Sequence, residues 1–168
     1  MNKDNVVFIG MPSVGKSTVG IVVAKLMGYD FIDTDLLIQK QEKRLLKDII
    51  AEEGRARFLA IENKLNSNLE ASHSIISPGG SAIYGQEAMK HFKDIATVVY
   101  LKVSFEEICR RVGDPVKRGV VLRPGQTLED LYMERTALFE QYADITIDEE
   151  NKSMEETVVA VLQALGWA

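Results

Sequence analysis

The chain has 168 residues, 46% hydrophobic and 27% charged, the proportions of an ordinary globule with enough length to bury one core. Its 25 acidic against 20 basic side chains leave a formal net charge of −5, which speaks against a nucleic-acid partner, since such binders carry a basic surplus. The single cysteine, Cys109, excludes an internal disulfide, and the apolar run Val6–Ile9 is too short for a signal segment or a membrane span, so a cytoplasmic chain with no membrane partner is expected.

In chain order, Val6–Ile9 reads as a first strand ending at Gly10. Ser17–Met27 has apolar residues at Val19, Val22, Val23 and Leu26, and Gly28 stops it as helix-ending glycines do. Phe31–Asp33 is a short second strand, followed by a mostly helical stretch, Leu36–Leu69, broken around Arg44 and Gly54. Ser74–Ser77 is a third strand running into Pro78-Gly79-Gly80; Thr97–Leu101, β-branched and apolar throughout, is the fourth; Ile145–Ile147 is a weaker fifth. Ser104 with Glu107, Ser153 with Glu156 and, more loosely, Thr127 with Asp130 have the spacing of capping boxes at helix starts. Cys109 falls in the apolar-patterned helix after Ser104 and reads as a packed core thiol. No linker or repeat interrupts residues 1–168, so one domain is expected. Five apolar strands separated by helices imply an α/β fold of three layers, a parallel sheet covered on both faces.

Gly10-Met-Pro-Ser-Val-Gly15-Lys16-Ser17 fits the phosphate-binding pattern G-x-x-x-x-G-K-[ST], and it stands after a strand and opens a helix, as the mechanism requires. The glycines let backbone N–H groups turn inward around phosphate oxygens, and the helix N-terminus adds its positive end. In that geometry Lys16 reaches the β- and γ-phosphates and the Ser17 hydroxyl is a Mg²⁺ ligand, so ATP and Mg²⁺ are the expected co-substrate and cofactor.

Asp33-Thr34-Asp35 sits at the carboxyl end of the second strand, the edge where open α/β sheets bind ligands. If the segment is extended, both carboxylates share a side. One could then serve Mg²⁺ and the other take a proton from an attacking hydroxyl. Asp35 also precedes Leu36-Leu37-Ile38 and could cap that helix; the two roles are compatible. Gly79 and Gly80 close the third strand on the same edge, where a backbone can approach a ligand closely. The segment 113–126, with Lys117, Arg118 and Arg123 among its glycines and prolines, has the character of a basic lid. Lys16, Lys117, Arg118, Arg123 and Arg135 would together offset the net acidity around an anionic ligand.

The ordered set GMPSVGKSTVG, GYDFIDTD, SPGGS, VVYL, RGVV and ERTALFEQYADITID resembles the shikimate kinase family from about Val6 to Asp148. That resemblance implies a P-loop kinase fold with a five-stranded parallel sheet and a lid. It also implies Mg-ATP-dependent phosphorylation of the 3-hydroxyl of shikimate in the aromatic amino-acid (chorismate) pathway, and a monomer is expected. Carried over by position, Ser13, Val14, Gly15, Lys16, Ser17 and Thr18 bind the ATP phosphates, and Asp33 joins Ser17 in placing Mg²⁺. Asp35 contacts the substrate hydroxyls and is the base, Gly79 and Gly80 line the substrate, Arg118 is the lid arginine that approaches ATP, and Arg135 holds the substrate carboxylate.

Three stretches depart from the family pattern. Where the family has G-E-x-x-F-R-x-x-E, this chain reads Gly54-Arg55-Ala56-Arg57-Phe58-Leu59-Ala60-Ile61-Glu62, so Leu59 replaces a carboxylate-binding arginine. Ser81 replaces the third glycine of G-G-G, and Arg118-Gly-Val-Val replaces R-P-L-L. Loss of one charge-assisted bidentate partner should weaken acceptor binding by roughly tenfold to a hundredfold. Arg55 or Arg57 is open as a substitute, although Arg57, two positions from Leu59, faces another way on a helix. These departures keep alternatives in play: a kinase of another small hydroxy acid or polyol such as gluconate or homoserine, less readily a nucleoside monophosphate kinase, or a catalytically silent nucleotide-binding regulator.

Overall fold

The computed structural model describes residues 3–115 and 120–167. Short runs of β-branched and apolar residues form β1 (Asn5–Ile9), β2 (Asp30–Asp33), β3 (Ser74–Ser77), β4 (Ala96–Lys102) and β5 (Ile145–Asp148). Each lies within one residue of the ends expected from the sequence. All pair in parallel, in the order β2-β3-β1-β4-β5. Val7 of the central strand is in register with Ile76 on one side and Val98 on the other, and every residue of β1 is buried. An uninterrupted apolar run is what a strand covered on both faces needs, because neither side meets water.

Helices α1 (Lys16–Met27), α2 (Thr34–Glu42), α3 (Leu46–Glu53) and α4 (Arg55–Ser67) precede β3. A 3-10 turn (Ala82–Tyr84), α5 (Gln86–Ile95), α6 (Phe105–Val112), α7 (Leu128–Tyr142) and α8 (Met154–Ala164) complete the described elements. The expected breaks in the long helical stretch fall at Lys43, in left-handed backbone, and at Gly54, with φ 84°. Thr127 and Ser153 form full reciprocal capping boxes with Asp130 and Glu156. Ser104 forms only half of one: its backbone N–H donates to Glu150 instead, and the Glu107 carboxylate is taken by Arg110 and Arg111.

Cys109 is exposed, not a core thiol. Helix α6 buries Ile108 and Val112, one turn apart, and the residue after Ile108 is turned about 100° away toward solvent. The main core spans both faces of the sheet. A smaller cluster of Ile38, Ile49, Phe58 and Ile61 holds α2, α3 and α4 together beside it. Among the described residues, no helix is long and apolar enough to cross a membrane.

Candidate active site

The loop from β1 into α1 places Ser13 (φ 68°) and Gly15 (φ 91°) in left-handed backbone, which coils the chain around the start of the helix. Nothing among the described side chains caps that helix, so its first N–H groups face outward, ready for an anion. Lys16 is buried inside the loop, with Nζ donating to the carbonyls of Gly10 (2.9 Å) and Met11 (3.0 Å). Burial pushes its ammonium down to about 8, against the opposing pull of the Asp35 charge. The Ser17 hydroxyl lies 3.2 Å from that of Ser77 at the end of β3.

Asp33, not Asp35, caps α2: its Oδ1 accepts from the N–H groups of Asp35 (2.9 Å) and Leu36 (3.3 Å). The helix begins at Thr34, so the two carboxylates are not related by strand alternation. They nevertheless line one cleft with Lys16, Ser17, Ser77 and Gly79, because the tight turn from strand into helix swings Asp35 back over the sheet edge. Burial, then repulsion from Asp33, raises the Asp35 carboxyl to about 6, while Lys16 opposes the rise. Its Oδ1 is buried and has no hydrogen-bond partner among the described residues.

Gly79 and Gly80 permit this arrangement by close approach. A Cβ on Gly79 would stand 2.9 Å from Asp35 Oδ1 and 3.2 Å from Glu62 Oε2; one on Gly80 would stand 2.9 Å from Arg135 Nη1. Arg135, on α7, is only 5% exposed, and its Nε donates to the Tyr84 hydroxyl at 3.4 Å. Beyond these residues opens a cavity of about 500 Å³ whose apolar lining includes Phe58, Leu59, Val120 and Val121 and whose polar lining includes Asp35, Arg55 and Arg135.

Two residues here escaped the sequence reading. Glu62, on α4, is 1% exposed; its Oε1 accepts from Ser81 Oγ at 2.7 Å while Oε2 has no partner among the described residues. Burial raises its carboxyl to about 8, with Ser81 opposing and Asp35 reinforcing the shift. The position closes the family's helix pattern, but nothing in its neighbours announces burial. Ser81, a departure in the sequence, is thus the hydrogen-bond donor to a buried acid. Arg111, in the last turn of α6, looks like a solvated helix end in sequence. It donates to Glu149 (3.0 Å) and Val14 O (3.4 Å), beside a second cavity of about 230 Å³ lined by Ser13, Val14, Gly15 and Thr18.

Of the lid segment, Val120 and Val121 reach the larger cavity. Lys117 and Arg118 lie outside the described residues. Arg123 does not join the expected group of cations around the ligand, since it pairs with Glu134, whose other oxygen accepts from Tyr84. That salt bridge satisfies its guanidinium at the surface.

The donors around the phosphate loop suit magnesium: Ser17 and Ser77 hydroxyls and the Asp33 oxygen not used in capping are hard oxygen ligands, which Mg²⁺ prefers alongside phosphate oxygens and water. Among the described residues no group of three His, Cys, Asp or Glu could hold a metal by itself, so a cation here would share its coordination with phosphate.

The shikimate kinase family model matches residues 12–166. The chain belongs to the shikimate kinase family. It is 36% identical over 171 residues to a shikimate kinase of Clostridium botulinum (strain 657 / Type Ba4), covering 96% of this chain and 95% of that one. Among solved structures, the shikimate kinase of Acinetobacter baumannii in complex with shikimate superposes with a TM-score of 0.86 at 27% identity, covering 96% of this chain and 92% of that one. The shikimate kinase of Aquifex aeolicus gives 0.82 at 30% identity, with 96% of each chain covered.

Proposed function

We propose that this protein transfers the γ-phosphate of ATP to the 3-hydroxyl of shikimate, with Asp35 as the base. The observation that carries this reading is the position of Asp35. It lines both the cleft of the phosphate loop and the cavity that Arg135 lines, so its carboxylate borders the phosphate and acceptor sites alike. A carboxyl raised to about 6 is mostly ionised at neutral pH yet basic enough to accept a proton as a hydroxyl becomes a nucleophile.

The step balances simply. The acceptor oxygen bonds to the γ-phosphorus, the bond from that phosphorus to the β,γ-bridging oxygen breaks, ADP leaves, and the hydroxyl proton passes to the Asp35 carboxylate. The N–H groups of residues 15–18 and the Lys16 ammonium would meet the charge that spreads over the phosphoryl oxygens. Ser17 and Asp33 would hold Mg²⁺, which supplies charge neutralisation between the β- and γ-phosphates. Arg135 takes the carboxylate of the acceptor and turns its hydroxyl toward Asp35. Arg118 is retained as the lid arginine on resemblance alone. A single cytoplasmic domain acting as a monomer fits this reading.

Acceptor-dependent ADP release across shikimate, gluconate, homoserine and neutral polyols tests the substrate. Shikimate is expected to be turned over with the highest kcat/KM. Turnover of another acceptor, with none for shikimate at millimolar concentration, would reassign it.

A further inference from the structure

Tyr84, at the end of the 3-10 turn, carries a guanidinium over its ring twice. The Arg55 Cζ lies 5.1 Å and the Arg135 Cζ 5.5 Å from the ring centroid. Both arginines line the 500 Å³ cavity, and the tyrosine itself is held by its hydroxyl donating to Glu134 at 2.6 Å. Stacking on an aromatic face fixes a guanidinium's plane while leaving its N–H edge free for an anion. Among the described residues, Arg55 makes no salt bridge and no hydrogen bond; the Glu134 carboxylate that holds Tyr84 feels its charge without bonding to it, so its N–H edge is open to an anion. Arg57 differs on each count: it is exposed, pairs with Glu53 at 3.2 Å and does not line the cavity.

Arg55 and Leu59 are one helical turn apart on α4, and both line the cavity. Side chains three or four positions apart share a helix face about 5–6 Å from one another, within the reach of an arginine. A side chain at position 59 also leans toward the helix N-terminus, over the turn from which Arg55 departs. A guanidinium set one turn back can therefore serve the same end of the cavity.

We infer that Arg55, stacked on Tyr84 beside Arg135, is the second guanidinium that binds the carboxylate of the acceptor in this chain, doing from position 55 what Leu59 cannot. The inference rests on the acceptor being a carboxylate such as shikimate. It makes the anion end of the cavity a pair of arginines on one tyrosine, with Leu59 as apolar wall beneath it. Arg55 is a specificity-determining residue here, distant in role from the proton transfer at Asp35.

Steady-state kinetics with the full chain test this. Arg55→Leu should raise KM for shikimate by roughly tenfold to a hundredfold with kcat changed little, as expected for loss of one charge-assisted anion contact. Arg57→Leu should leave KM unchanged. The penalty of Arg55→Leu should vanish with the methyl ester of shikimate, which lacks the charge. Moving the arginine back, in Arg55→Leu combined with Leu59→Arg, should recover most of the lost affinity; this double variant keeps the test decisive if the single one folds poorly. An unchanged KM in Arg55→Leu, or an equal penalty on the acid and the ester, overturns the inference. Failure of the substrate reading is separable: if the wild type phosphorylates a different hydroxy acid, the same variants are read on that acid, and phosphorylation of neutral polyols alone refutes a carboxylate site.

Discussion

Replacing Asp35 by Asn keeps the shape of a buried side chain and removes the charge that the proposed chemistry needs. A positioned general base contributes about 10²–10⁴ in rate. At roughly 1.36 kcal/mol per factor of ten, that is about 3–5 kcal/mol of transition-state stabilisation. With its carboxyl raised to about 6 by burial and by Asp33, Asp35 is largely ionised at pH 7. The wild-type kcat/KM should therefore be near its plateau there and fall as pH drops through about 6, approaching tenfold per pH unit below it. In Asp35→Asn that acidic limb should disappear along with most of kcat. Two neighbours feel the change as well: Asp35 holds the Lys16 ammonium up and pushes the Glu62 carboxyl up, so both groups should titrate lower in the variant. The assay is ADP release coupled to NADH oxidation across a pH series, with circular dichroism confirming the fold. A kcat within about threefold of wild type would contradict a base contribution of this size. An acidic limb that persists in the variant would assign the titration to another group.

Lys16→Met should abolish turnover while leaving the fold intact, since among the described residues its ammonium bonds only to loop carbonyls; ADP release and circular dichroism together check this, and unimpaired turnover would refute its phosphate role. Gly79→Ala and Gly80→Ala should fail differently. The first pushes a methyl against Asp35 and Glu62 and lowers kcat, whereas the second displaces Arg135 and raises the acceptor KM, with misplacement effects reaching ~100-fold. The same defect in both variants would contradict the assignment of their neighbours. Glu62 holds its proton in the folded protein up to about 8, well above the ordinary carboxyl range, so between those limits the folded state binds a proton that the unfolded chain has released. That contribution to stability is complete at acidic pH and is lost as pH rises toward 8. Glu62→Gln should flatten the fall in melting temperature across this window, and an unchanged slope would place the proton elsewhere.

Strand positions and the helix breaks at Lys43 and Gly54 were legible because they rest on local rules: continuous apolar runs for buried parallel strands, and left-handed or glycine backbone where helices stop. Helix α5 was not anticipated. Its buried Ala88, Met89 and Phe92 form one narrow stripe on a ten-residue segment otherwise polar, too short a pattern to stand out beside the strand that follows. At the site, the phosphate loop was readable because its function lies in a contiguous motif. Asp33 and Asp35 were paired for a reason that does not hold, since helix α2 starts between them. Glu62, Arg111 and the stacking of Arg55 on Tyr84 depend on which helix faces meet in space, and no local spacing encodes that. The Cys109 thiol shows the same gap from the other side: helical spacing identified an apolar stripe but not which neighbour of Ile108 falls off it.

The central claim is the reaction itself, and identifying its product tests it most directly. Incubation with ATP, Mg²⁺ and shikimate, followed by phosphorus and proton NMR, should show one ADP formed for each new phosphomonoester, with the phosphate on the 3-hydroxyl of shikimate. ADP formed at the same rate without shikimate, or phosphate found only on a different acceptor from the panel, would contradict the account.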